Sequence, residues 1–155
     1  MSTLYDTDIV LWSERQAELL RRLARGEQPN DLDWENVIAE VESVGRSETS
    51  AVRSLLQRAQ EHLLKAAAWP DAVPARRWIH DSGVFIRDAR RGWAPSMAQR
   101  IDLAELYRDA RETVEDLAFE EGPPGPLPAE CPVTLHELMT GNVMTDLAPR
   151  FRPAD

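Results

Sequence analysis

Chemistry in this 155-residue chain has few places to come from: three histidines, one cysteine and 27 acidic residues against 18 basic ones. One constellation combines them. Asn36, Glu40, Glu42, Gly45, Arg46 and Glu48 lie close together in sequence, and His62 follows further on. Asn36, Glu40 and Ser43 recur at helical spacing on one flank of a segment whose other flank is Val37, Val41 and Val44. His62 falls one step off an apolar row, at the edge of the expected core. A half-buried imidazole needs a hydrogen-bond partner, and a glutamate from a neighbouring helix supplies one. Asn36, Glu40, Glu42, Arg46 and His62 therefore form the expected polar cluster. Such a cluster binds a ligand or metal, or more commonly fixes the register of two helices.

Metal chemistry has a weaker basis. A carboxylate-bridged dimetal bundle needs Glu-x-x-His pairs, and Ala59, Arg77 and Val133 stand three residues before His62, His80 and His136. The His-Glu-x-x-His pattern of zinc proteases is absent as well. A metal phosphohydrolase could draw on His62, the dipeptide His80-Asp81 and one of Asp102 or Asp109, since imidazoles and carboxylates suit divalent ions. Adjacent helical residues point about 100° apart, however, so both reach one ion only at a helix end or distortion. His80 reads better as a surface residue, and no cofactor is expected. Glu105, Asp109, Glu112 and Asp116 form an acidic stripe able in principle to hold Mg²⁺ against a triphosphate. They lie opposite Leu103, Leu106, Tyr107 and Val114, which makes the stripe a solvated face. Cys131, between Glu130 and Pro132, is expected to pack rather than to attack.

These side chains have to be positioned by helices, because apolar residues recur at 3.6-residue spacing throughout and no segment alternates like a strand. The first helix runs from Thr7 to Arg25 with Ile9, Trp12, Gln16, Leu19, Leu20 and Leu23 on one face, and Gly26 and Pro29 end it. Asp33 caps a short second helix, whose inward residues are Trp34, Val37, Ile38, Val41 and Val44 and which Gly45 terminates. Ser47 opens a third helix reaching Ala68. A fourth, 74–91, presents Trp78, Ser82, Phe85, Ile86 and Ala89. Ser96 with Gln99 reads as a capping box for one short turn, and Asp102 with Glu105 as another that starts a helix to Glu121. Residues 122–133 form an extended proline-rich strap, Thr134 with Glu137 opens a last short helix to Thr140, and 144–155 reads as a loosely held tail. All five tryptophans are expected in the core or at its rim. The fold class is all-α, a single-domain bundle of about five main helices.

Composition narrows the partners. A net charge of −9 disfavours broad binding to nucleic acid, which draws its affinity from Lys and Arg at phosphates. The arginine-rich helix 74–91, with Arg76, Arg77, Arg87, Arg90 and Arg91, is the one place such binding could use. The competing expectation is that it pairs with the acidic helix after Asp102. No apolar run approaches a membrane span, and the amino-terminus carries Asp6 and Asp8 without a basic residue, so a soluble, cytoplasmic protein is expected. The single thiol agrees with a reducing compartment.

In order along the chain, Tyr5-Asp6-Thr7-Asp8 with Trp12, the run Gln16 to Arg21, Leu32-Asp33-Trp34-Glu35-Asn36-Val37 and Glu40-Val41-Glu42 resemble one bacterial family. The likeness continues through Gly45-Arg46-Ser47-Glu48, His62-Leu63-Leu64-Lys65, Trp78 with Arg87, Pro95-Ser96, Tyr107 with Ala110, Glu112-Thr113, and Cys131-Pro132 with Thr134. The family is known as domain of unknown function twenty-nine. The chain departs from it at Ala39, where the family tends to carry Glu, and at Ile79-His80-Asp81-Ser82. The resemblance implies an all-α fold and a bacterial origin, and brings no reaction with it. The function expected is contact with a protein partner or with a second copy, as a small regulatory or adaptor module. Metal-dependent hydrolysis of a phosphorylated small molecule through His62, Glu40 and Glu42, with His80 and Asp81, is the alternative.

Overall fold

The structure, a computed structural model, describes residues 3–152 apart from the side chain of Phe119. It is helical, with no strand among those residues. None of its helices is long and apolar enough to cross a membrane. The chain divides into two compact units, residues 1–47 and 48–155.

The first unit holds α1 (Leu4–Thr7), α2 (Ile9–Ala24) and the beginning of α3 (Trp34–Ala68). Thr3 and Asp6 close a reciprocal capping box around α1, and the Asp8 carboxylate accepts the amide of Leu11 at 2.9 Å to start α2. The first helix thus begins after Asp8 rather than at Thr7. Gly26, at φ +87°, takes the left-handed conformation that ends it. Only Trp12, Gln16 and Leu19 of α2 are buried.

Gly45 does not terminate anything. Among glycines of the described residues, positive φ occurs at Gly26 and Gly122, and α3 runs unbroken for 35 residues. The two helices expected at 34–44 and 47–68 are one. A glycine inside a helix costs only about 1 kcal/mol relative to alanine, less than the hydrogen bonds that an interruption would forfeit.

The second unit has a continuous core. Val52, Leu56, Leu63 and Leu64 of α3 pack with Ile86 of α4 (Ala75–Gly92), and Leu106 and Val114 of α5 (Leu103–Asp116) complete it. The Asp102 carboxylate accepts the amides of Ala104 and Glu105, as expected of an N-cap, but the helix stops at Asp116. A separate short turn, α6 (Ala118–Glu121), follows. Ser96 does not cap: Pro95–Gln99 is a 3₁₀ turn with Ala94 at its cap position. Lys65, the one lysine of the sequence, lies 4.5 Å above the Trp78 ring.

Residues 122–133 form the strap, without helix or strand. Its hydrogen bonds go elsewhere. The Gly125 amide donates to the Ala68 carbonyl at 2.8 Å, the Trp69 indole to Gly122 at 3.1 Å, and the Tyr107 hydroxyl to Pro128 at 2.6 Å. Thr134 and Glu137 close the expected capping box of α7 (Leu135–Thr140). The tail is not loose. A π turn, Val143–Leu147, and a 3₁₀ turn, Ala148–Phe151, bury Leu147 and Phe151, whose apolar surface outweighs the entropy of ordering the segment. Residues 153–155 of that expected tail lie outside the described residues.

Candidate functional site

The polar residues of the first unit join into two linked sets of hydrogen bonds. Asp33 is the hub of one. Its carboxylate accepts the Trp12 indole N–H at 3.0 Å and the Asn36 side-chain amide at 2.8 Å, while its own backbone N–H donates to Gln16 Oε1 at 2.9 Å. Donation from Asn36, then from Trp12, holds the Asp33 carboxyl below its ordinary value against the opposing effect of burial. Glu40 is the hub of the other. Tyr5 Oη donates to it at 2.6 Å, and Ser43 Oγ donates to its carbonyl at 2.8 Å. That bond to a carboxylate raises the Tyr5 phenol above its ordinary value, with burial and the Glu40 charge adding to it. The Tyr5 and Trp12 rings meet edge to face at 4.9 Å, which ties the two sets together.

The expected polar cluster is therefore only partly assembled. Asn36 and Glu40 are used, but by Asp33 and Tyr5. Glu42 and Arg46 are exposed and meet each other at 3.9 Å, one turn apart. His62 takes no glutamate: its Nδ1 lies 3.0 Å from the Arg58 carbonyl, and its ring packs edge to face on Phe85 at 5.2 Å. The reason is the unbroken α3, which carries Glu40 and His62 on the same helix 22 residues apart, so that they are not neighbours on facing helices.

The metal alternative does not come together either. Among the described residues no group of three or more His, Cys, Asp and Glu side chains is placed to hold an ion. His80 is exposed beside a cleft of about 290 Å³ that Arg87 and Asn142 also line. Asp81 faces Arg77 at 3.6 Å. On the acidic stripe, Glu105 pairs with Arg53 at 3.0 Å. The arginine-rich helix does not pair with the acidic one. Among the described residues its ions meet within α4, as Arg77 with Asp81 and Arg91 with Asp88, while Arg90 grips backbone carbonyls. Cys131 is half-buried with its thiol 3.4 Å from Gln60 Oε1, and burial raises its pKa, as suits a packing residue.

What sequence reasoning assigned to the interior instead faces solvent. Trp34 is 52% exposed, Ile38 54%, Val41 70% and Val44 62%. Ile9 and Leu23, from the expected face of α2, are exposed too. The residues that organise the site, Tyr5, Trp12, Gln16 and Asp33, were legible as fragments of the family likeness, with Gln16 the one polar residue on the α2 apolar face. Nothing in the periodicity identified them as a network.

A chain whose described residues form helices and turns and no strand, with a hydrogen-bonded first unit, defines a class by its fold alone. The chain belongs to the family described as domain of unknown function DUF29, whose model matches residues 4–144. A crystal structure of an alpha-helical protein of unknown function from Rhodospirillum rubrum is similar to it, with 26% sequence identity and a TM-score of 0.73. That match covers 99% of this chain and 100% of the other. No curated protein matches the chain.

Proposed function

We propose that this chain acts without a reaction of its own, as a helical module that binds protein through the solvent-facing row Trp34, Ile38, Val41 and Val44. The observation carrying this reading is that row, all four side chains more than half exposed, on a segment whose opposite flank is held by Tyr5, Trp12 and Asp33. Apolar patches of this kind on a folded surface mark interaction sites. The hydrogen bonds of Asp33 and Glu40 then have a structural purpose: they set the pitch of α3 against α2 and so the direction in which the row points. The single thiol supports a reducing, cytoplasmic setting, and the Rhodospirillum relative supports a bacterial one.

The test compares the immobilised chain with its Val41→Asp variant in extract from the native host. Proteins retained by the first and released by the second support the reading. Equal retention by both, with matching circular dichroism, removes it.

A further inference from the structure

The exposed row on the first turns of α3 has the spacing of one half of an antiparallel seam. Trp34, Ile38, Val41 and Gly45 follow one another at intervals of 4, 3 and 4 residues, which keeps them on a single helical face. Those intervals are the same from either end. Two such helices laid antiparallel therefore set Trp34 against Gly45 and Ile38 against Val41 simultaneously, twice over, as a two-fold axis requires. We infer that the occupant of this face is a second copy of the chain, packed antiparallel so that Trp34 of each covers Gly45 of the other.

Side-chain size fits the register. Trp34 is the bulkiest member of the row and Gly45 the smallest, and a Cβ built on Gly45 meets nothing within 4 Å, so the space above it is open to an incoming ring. Charge follows the same register: on the flank carrying Glu35, Glu42 and Arg46, the antiparallel seam sets Glu35 of the second copy between Glu42 and Arg46, which stand 3.9 Å apart, so that Arg46 offsets both carboxylates. The opposite flank brings Val37 and Val44 against their counterparts. In area, the four exposed side chains Trp34, Ile38, Val41 and Val44 offer on the order of 500 Å² per copy, and two copies reach about 1,000 Å², where specific interfaces begin. A small seam of this size gives a dimer that dissociates on dilution. The inference deepens the contact reading above and rests on it.

Sedimentation equilibrium over a concentration series tests it, with three variants. The unaltered chain is expected to pass from monomer to dimer below about 100 µM. Val41→Asp, with unchanged circular dichroism, should raise the dissociation constant at least about tenfold. Gly45→Ala should stabilise the isolated helix and still weaken the dimer, because its methyl group occupies the place of the opposing indole. Arg46→Glu should weaken it, and Glu35→Arg combined with Arg46→Glu should restore it, since only an antiparallel register pairs those two positions. A monomer throughout overturns the inference. So does a dimer indifferent to Val41→Asp or to Gly45→Ala, or a double charge exchange that restores nothing. The contact reading is decided separately: if the chain is monomeric yet loses retained host proteins on Val41→Asp, the second copy is wrong and the contact face stands.

Discussion

Arg90 clamps the carbonyl oxygen of Leu138 with two donors at once, Nε at 3.1 Å and Nη2 at 2.7 Å. The same Nη2 reaches the Gly141 carbonyl at 2.7 Å. Leu138 and Gly141 lie at the end of α7, where helical carbonyls lack amide partners of their own. A planar fork of donors on α4 therefore finishes a helix that is 48 residues away in sequence, and partial burial of the guanidinium tightens the arrangement.

Replacing Arg90 by Ala should strip α7 of that closure. Loss of charged hydrogen bonds to backbone carbonyls is expected to cost roughly 2–3 kcal/mol. Hydrogen exchange should accelerate at residues 138–141 first. Arg90→Lys should recover only part of the loss, because an ammonium cannot reproduce the fork. Full recovery by lysine would show that charge alone matters.

Gly141 tolerates no side chain. Its φ of −75° is open to any residue, but an added Cβ would stand 2.8 Å from the Glu137 carbonyl oxygen and 3.2 Å from Leu147. Since the first of these is backbone, α7 or the π turn after it has to move. Gly141→Ala is expected to lower stability by about 1–3 kcal/mol in denaturant titration, whereas the same change at exposed Gly45 should raise it in dilute, monomeric protein.

Acid should loosen the first unit through Asp33. Its folded carboxyl titrates below the ordinary 3.8, so the folded state binds its proton less readily than the unfolded chain does. The stabilisation is complete above that pH and is lost as the pH falls through the lower folded value. The Trp12 indole N–H resonance, bonded to this carboxylate, should shift over that interval. In Asp33→Asn the shift should vanish and the acid limb flatten.

Alkali acts on the tyrosines in the opposite sense. Burial pushes the Tyr107 phenol up to about 12, and hydrogen bonding to Glu40 raises Tyr5 as well. A raised phenol favours folding below its unfolded value of 10.0, and that contribution is lost as the pH climbs from there through the folded value. Phenolate absorbance should thus rise late for both of the chain's tyrosines, and Tyr107→Phe should delete the component near 12.

Leu56 tests the core directly. It is fully buried, and Leu56→Ala should cost about 2–5 kcal/mol by urea unfolding. Ile38→Ala, on the exposed row, should cost far less in dilute protein.

Helical spacing made the elements legible, because 3.6-residue periodicity is written by every buried face. It could not reveal what covers each face. Val41 and Val44 have the same periodicity as Val52 and Leu56, and only the latter pair meets a core. Gly45 was misleading for a related reason: glycine permits a left-handed stop without requiring one. The candidate site suffered most from this, since joining the second and third expected helices into α3 separated Glu40 from His62. The bonds of Tyr5 to Glu40 and of Trp12 to Asp33 left no sign in the sequence, because hydrogen bonds between residues 35 and 21 apart make no local pattern. The tail was misjudged on its position, although Leu147 and Phe151 were present to anchor it.

The amide of Gly125 completing the last turn of α3 at Ala68 has a consequence for synthesis. A ribosome that has just added Ala68 must add 57 further residues before the group that caps it exists. Until then the nascent chain carries a long amphipathic rod with its carbonyl end open to water, and the second unit can lock only once translation has passed the prolines.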